Sequence, residues 1–167
     1  LGTVSASVSS VLMPEYVRLK KMEDIKGLIA LWHSSIHKIA LLFIPLMIFF
    51  FIVAQDFITL MFSNTYAEST IVFQIYLIGI IANMTWYGTI LVSLGHSREP
   101  FYASAIGLCC NVILNYLFIL KIGFLGPVIA SVITNYINAA YYLYKIKKYT
   151  NISWIDIYPW RTVFNIL

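Results

Sequence analysis

An all-α, multi-pass transmembrane helical bundle is the fold this sequence predicts, and three observations carry it. Of its 167 residues, 60% are hydrophobic and only 11% charged, far below the roughly 25% typical of soluble domains. Mean hydropathy is +0.84, and the apolar residues collect in uncharged runs long enough to cross a hydrocarbon core of ~30 Å. Those runs lack the strict alternation of a membrane β-barrel. Aromatic side chains make up 16%, which suits a lipid interface. Scarce charge excludes a disordered chain, and neither a Gly-x-y period nor a sustained heptad is present.

Residues 1–13, LGTVSASVSSVLM, are uncharged but too few to span. No basic region precedes them as in a signal peptide, so they read as the tail of a truncated transmembrane helix and the chain reads as a fragment. Residues 14–38 change character. Met22, Ile25, Ile29, Trp32 and Ile36 recur at spacings of three and four, while Glu15, Arg18, Lys20, Lys21, Asp24 and Lys26 fill much of the rest. That pattern predicts a cytoplasmic amphipathic connector, either a helix lying at the membrane interface or a solvated link.

Residues 39–144 form the four-span bundle. The first span covers 39–62 and is broken only by Gln55 and Asp56; the others cover 71–94, 101–120 and 125–144. SNTYAES, GHSREP and KIGFLGP separate them with turn chemistry. Pro127 follows Gly126 directly, which suits a helix start after a tight turn. Pro45 lies about two turns inside the first span, where it removes a backbone hydrogen bond; it is a static bend or a point of motion. Residues 145–167 are a cytoplasmic basic segment, with 152–167 the possible start of a further span.

Charge sets the orientation. Of the 11 Lys and Arg, all but Lys121 fall on one side if the helices alternate: Arg18, Lys20, Lys21, Lys26, Lys38, Arg98, Lys145, Lys147, Lys148 and Arg161. That side is expected to be cytoplasmic. The net charge of +4 is then topological and implies no nucleic-acid partner; Tyr149 and Trp154 read as interfacial anchors rather than base-stacking platforms.

Little in the sequence could perform catalysis. It shows no Ser/His/Asp set, paired carboxylates, HExxH, P-loop or Rossmann glycine pattern, so no catalytic residue, no cofactor and no enzyme activity is predicted. His33 and His37 share a helix face at a spacing metals use, yet no third ligand accompanies them, and interfacial solvation is the plainer reading. His96 lies at the same boundary. Cys109 and Cys110 are adjacent, which suits neither a disulfide framework nor zinc. The span interiors hold no ionisable residue of the kind that marks ion pathways; Asp56 lies toward the outer end of its span and Glu68 in the outer loop.

Amides and hydroxyls supply the polarity inside the spans. Gly107, Asn111 and Asn115 recur every fourth residue on one face, and Ser131, Asn135 and Asn138 form a similar face on the next span, with Tyr142 one turn on. Asn83 and Gln74 stand alone in the second span. Two readings stay open: packing seams joined by interhelical hydrogen bonds, or a substrate cavity wall formed by Asn83, Asn111, Asn115, Asn135 and Asn138.

The order of these features resembles a known family. VLMPEYVRLKKMEDIKGLIALW resembles the helix exit and charged connector of polysaccharide-exporting flippases. LMFSNTYAEST is similar to their outer loop at Phe62, Tyr66 and Ser69, and LVSLGHSREP to their inner loop at Gly95 and Arg98. Asn111, Asn115, Gly123, Gly126 and Ala130 resemble N-x-x-L-N … G-x-x-G-A-x-x-A-T, with departures at Pro127 and Ser131. Over nearly its whole length the chain resembles the C-terminal half of the flippases for lipid-linked oligosaccharides in O-antigen and capsule assembly. These belong to the multidrug/oligosaccharidyl-lipid/polysaccharide exporter superfamily.

The resemblance implies a bacterial cytoplasmic-membrane transporter. It implies an N-terminal bundle absent from this sequence, and alternating access that carries a polyprenyl-pyrophosphate-linked oligosaccharide between leaflets. Its partners would be that lipid-linked oligosaccharide, the bilayer and the N-terminal bundle. The alternatives are a multidrug or ion-coupled exporter of the same superfamily, which would need an intramembrane carboxylate, and a structural membrane-assembly subunit.

Overall fold

The structure, a computed structural model, describes residues 2–83 and 87–153, with side chains in the first helix from Val11 onward. Trp154, Arg161 and the possible further span therefore lie outside the described residues. Within them the chain is helical and no strand occurs. The elements are α1 (Gly2–Lys21), α2 (Ile25–Ile52), α3 (Ala54–Phe62), α4 (Ser69–Ile81), α5 (Tyr87–Ser93), α6 (Glu99–Ile122) and α7 (Gly126–Thr150). Single 3-10 turns at Asn64–Tyr66 and Gly123–Leu125 sharpen the α3–α4 and α6–α7 connections.

The stretch 14–38, expected as one connector, is divided. Helix α1 continues through Pro14 to Lys21. The chain then turns at Glu23, which takes a positive φ of 58°. Asp24 caps α2 by accepting the Gly27 N–H at 2.8 Å, a bond that satisfies one of the orphan donors of a helix start. From there α2 runs unbroken through Lys38 and Pro45. The apolar face read from the periodicity packs against protein. Ile29, Trp32 and Ile36 are buried in a core with Tyr16, Tyr87, Ile90, Leu91, Leu94 and Ile146. Met22, at the turn, stays 66% exposed.

Aromatic rings organise this core. The rings of Trp32 and Tyr87 meet edge-on at 6.0 Å, and Tyr87 stacks on Tyr142 at 5.9 Å. This ties α2, α5 and α7 together near the ends that carry the basic residues.

The first span also departs from a single straight helix, because α2 ends at Ile52 and α3 begins at Ala54. Gln74 of α4 explains the break: its Nε2 donates to the Phe51 carbonyl at 3.1 Å. A side chain inserted into the helical ladder is a recognised cause of a kink. Rings of Phe50, Phe57 and Phe73 pack around the break, with Phe57 and Phe73 stacked at 5.6 Å.

Helices α6 and α7 cover the residues expected as the third and fourth spans. With 24 and 25 residues they reach about 36 Å at 1.5 Å per residue. Pro127 sits in the first turn of α7. Gly126 is required by proximity, since a Cβ there would stand 2.5 Å from the Phe118 carbonyl carbon. Helix α2 and the α6–α7 stretch are apolar and long enough to cross a membrane, yet only 11% and 22% of their most apolar windows is buried. A soluble protein's core helix would be mostly covered; these faces, with Leu42, Phe49, Leu108 and Leu120 exposed, suit lipid.

Candidate functional site

The seam between α6 and α7 gathers most of the intramembrane polarity. Gly107 lets the two helices close up: a Cβ at that position would lie 2.5 Å from Asn138 Nδ2. One turn along α6, Asn111 Nδ2 reaches Ser131 Oγ at 3.5 Å, a long contact, while Asn115 Nδ2 donates to Asn111 Oδ1 at 2.7 Å. The Oδ1 atoms of Asn115 and Asn138 are buried without a hydrogen-bond partner among the described residues. Such orphaned acceptors cost free energy when buried.

The five amides singled out from the sequence do not form one group. Asn111, Asn115 and Asn138 share the α6–α7 seam. Asn135 faces α4 at Gly79, where a Cβ would stand 3.6 Å from its Nδ2. Asn83 is exposed in the turn after α4, its N–H bonded to the Ile80 carbonyl at 3.0 Å. Of the histidines, His37 is exposed, and the His33 ring lies 5.6 Å from Trp32. Asp56 is exposed in the first turn of α3.

At the basic end of the same seam lies a cluster that sequence reasoning missed. Glu99, the first residue of α6, is only 6% exposed. Tyr141 donates to its Oε2 and Tyr149 to its Oε1, both at 2.6 Å. The Lys145 ammonium stands 3.1 Å from the carboxylate and 5.3 Å from the Tyr141 ring centroid. Burial disfavours a lone charge; here three donors from one helix face surround it. Tyr149 also stacks on His96 at 3.5 Å between centroids. Lys20 of α1 donates to the Leu94 carbonyl at the end of α5, an arrangement that satisfies a C-terminal carbonyl with a cation.

In the sequence Glu99 belonged to the turn GHSREP, and Lys145 counted only as a topological charge. The available signal was the i, i+4, i+8 spacing of Tyr141, Lys145 and Tyr149, which places three donors in a column on α7.

The arrangement places amide acceptors along a helix seam and a hydrogen-bonded polar cluster at its basic end. No curated protein and no solved structure matches the chain. The profile of the family described as lipid II flippase MurJ matches residues 1–164. The resemblance to O-antigen and capsule flippases thus holds at the level of the superfamily, while the matching family is the one named for lipid II. With nearly every residue matched, this chain belongs to the lipid II flippase MurJ family, within the multidrug/oligosaccharidyl-lipid/polysaccharide superfamily.

Proposed function

We propose that this chain is part of a flippase that carries a polyprenyl-pyrophosphate-linked saccharide across the bacterial cytoplasmic membrane by alternating access. The family match over residues 1–164 carries the reading. The physical problem is clear: a sugar head group cannot cross ~30 Å of hydrocarbon unaided, since each unpaired polar group costs several kcal/mol. Amides and hydroxyls in a protein cavity replace the lost water, and Asn111, Asn115 and Asn138, each only half-buried along the seam, are the candidates on this chain. Asn135 and Asn83 join them only if the cavity extends beyond the α6–α7 seam. The pyrophosphate calls for a cation, which an N-terminal bundle of the same protein supplies in this reading.

The family's description makes the cell-wall precursor lipid II the first cargo. A polysaccharide repeat unit of the O-antigen or capsule kind is the second, favoured by the motif order from Phe62 to Ala130. Depletion of the full-length gene, followed by restoration from a plasmid, separates them. Accumulation of the lipid-linked wall precursor on the cytoplasmic face, cleared by the plasmid, supports lipid II. Accumulation of repeat units with intact wall synthesis supports the polysaccharide cargo. Neither accumulating, with altered drug sensitivity or ion-dependent efflux, rejects the flippase reading in favour of an exporter.

The role of the amides has its own test. Asn111→Leu with Asn115→Leu abolishes transport at normal membrane levels if these residues line the cavity. Loss of the protein from the membrane shows instead that they serve packing.

A further inference from the structure

The geometry points to Glu99 as a permanent clasp that makes α6 and α7 one rigid arm, so that the motions of transport occur at other seams. Among the described residues its carboxylate is bound from α7, by Tyr141 and Tyr149 at 2.6 Å and Lys145 at 3.1 Å. The bonds therefore tie these two helices to each other. At the opposite end Gly126 presses α7 against the backbone of α6 at Phe118. Between the two, Gly107 meets Asn138 and Asn111 reaches Ser131. The hairpin is thus fastened at its basic end, its middle and its turn.

A gate made from the same groups would have to open repeatedly. Parting them leaves a carboxylate, an ammonium and two hydroxyls to find new partners at once, and the buried Glu99 carboxylate is costly to leave unpaired. The α2–α3 pair is built differently, since its helix is already interrupted at Val53. The inference goes beyond the flippase reading and does not depend on which saccharide is carried. Its measurements need no transport assay, so its failure and the failure of that reading are distinguishable.

The test uses the full-length protein in lipid nanodiscs, with native cysteines replaced and spin labels at Phe101→Cys on α6 and Tyr144→Cys on α7, both exposed toward the basic ends of the two helices. Pulsed electron paramagnetic resonance should give one narrow distance, unchanged by undecaprenyl pyrophosphate as the probe. A second population or a shift on adding the probe makes the cluster a gate and overturns the clasp. Hydrogen exchange supplies an independent reading. In the unlabelled wild type, amides at 99–107 and 139–150 should exchange at least about tenfold more slowly than those at 54–57. Glu99→Gln, which keeps shape and loses charge, should erase that difference at the basic end. Equal exchange in the two regions of the wild type also overturns the clasp.

Discussion

Helices α6–α7 and helices α2–α3 both traverse the bundle, yet they are held by opposite means. The hairpin α6–α7 keeps two continuous helices of 24 and 25 residues and joins them side by side through polar contacts at several levels. The α2–α3 pair is nearly collinear in sequence but parted at Val53, and a single amide from α4 occupies the carbonyl freed there. Around that break the contacts are aromatic, with Phe50, Phe57 and Phe73 in mutual reach. Ring stacking tolerates sliding better than a buried charged hydrogen bond does, because dispersion has little directional preference while a charge-assisted bond depends on geometry. The contrast teaches that uncharged spans of similar composition can be a strut or a joint. A few polar side chains decide which.

The largest way to break the comparison is to remove the clasp. Glu99→Ala leaves the half-buried Lys145 without its carboxylate and removes the acceptor for two tyrosine hydroxyls. Loss of one partner costs about 3–5 kcal/mol in a fully buried ion pair, and less here because the Lys145 ammonium keeps some contact with solvent. The full-length protein should show a clearly lowered thermal midpoint in detergent, or reduced membrane levels. A midpoint equal to wild type would show that water reaches the site and pairs the ammonium instead. Glu99→Gln should cost less than Glu99→Ala, because an amide oxygen still accepts from the tyrosines.

The turn of the hairpin comes second. Gly126→Ala places a methyl group 2.5 Å from the Phe118 carbonyl carbon, and backbone cannot swing away as a side chain can. Overpacking of this kind costs about 1–3 kcal/mol. Gly107→Ala makes an equally short contact, but with the Asn138 amide, which can rotate; its effect should be smaller. Thermal unfolding of the two variants side by side checks the order, and a reversed order would show that the Asn138 amide is the less yielding group.

The sequence made the two arms legible to different degrees, for physical reasons. The α6–α7 hairpin was readable because its turn has local chemistry at Gly126 and Pro127, and because Gly107, Asn111 and Asn115 mark one face by spacing. Its clasp was not, since Glu99 and Lys145 are 46 positions apart and a charge near a span end looks the same whether it is solvated or paired. The burial of Ile29, Trp32 and Ile36 shows a related limit: periodicity identifies an apolar face but not what covers it. A connector 14–38 could be drawn from composition, yet the actual stop is the three-residue turn before Ile25, set by Asp24 as a cap. Among the candidate amides, spacing put Asn111 and Asn115 on one face, where their side chains share a hydrogen bond. It could not separate Asn135 from Asn138, which lie three apart on α7 and meet different neighbours.

The break at Val53 is the subtlest case, and it sets the smallest effect. Pro45 was the visible breaker in that span, but α2 runs through it and stops a full two turns later. The cause lies 23 positions away in Gln74, which no local pattern reveals. In an unbroken helix the Phe51 carbonyl would accept from the Gln55 amide four residues on. Gln74→Leu removes the competing donor and returns the carbonyl to that partner. Interhelical hydrogen bonds of this kind average about 0.6 kcal/mol in membranes, so stability should hardly change. Geometry should change more: spin labels at Ser34→Cys and Met61→Cys, both exposed, should move apart as α2 and α3 straighten. An unchanged distance would assign the break to the packing of Phe50, Phe57 and Phe73, and α3 would then be a joint held by rings alone.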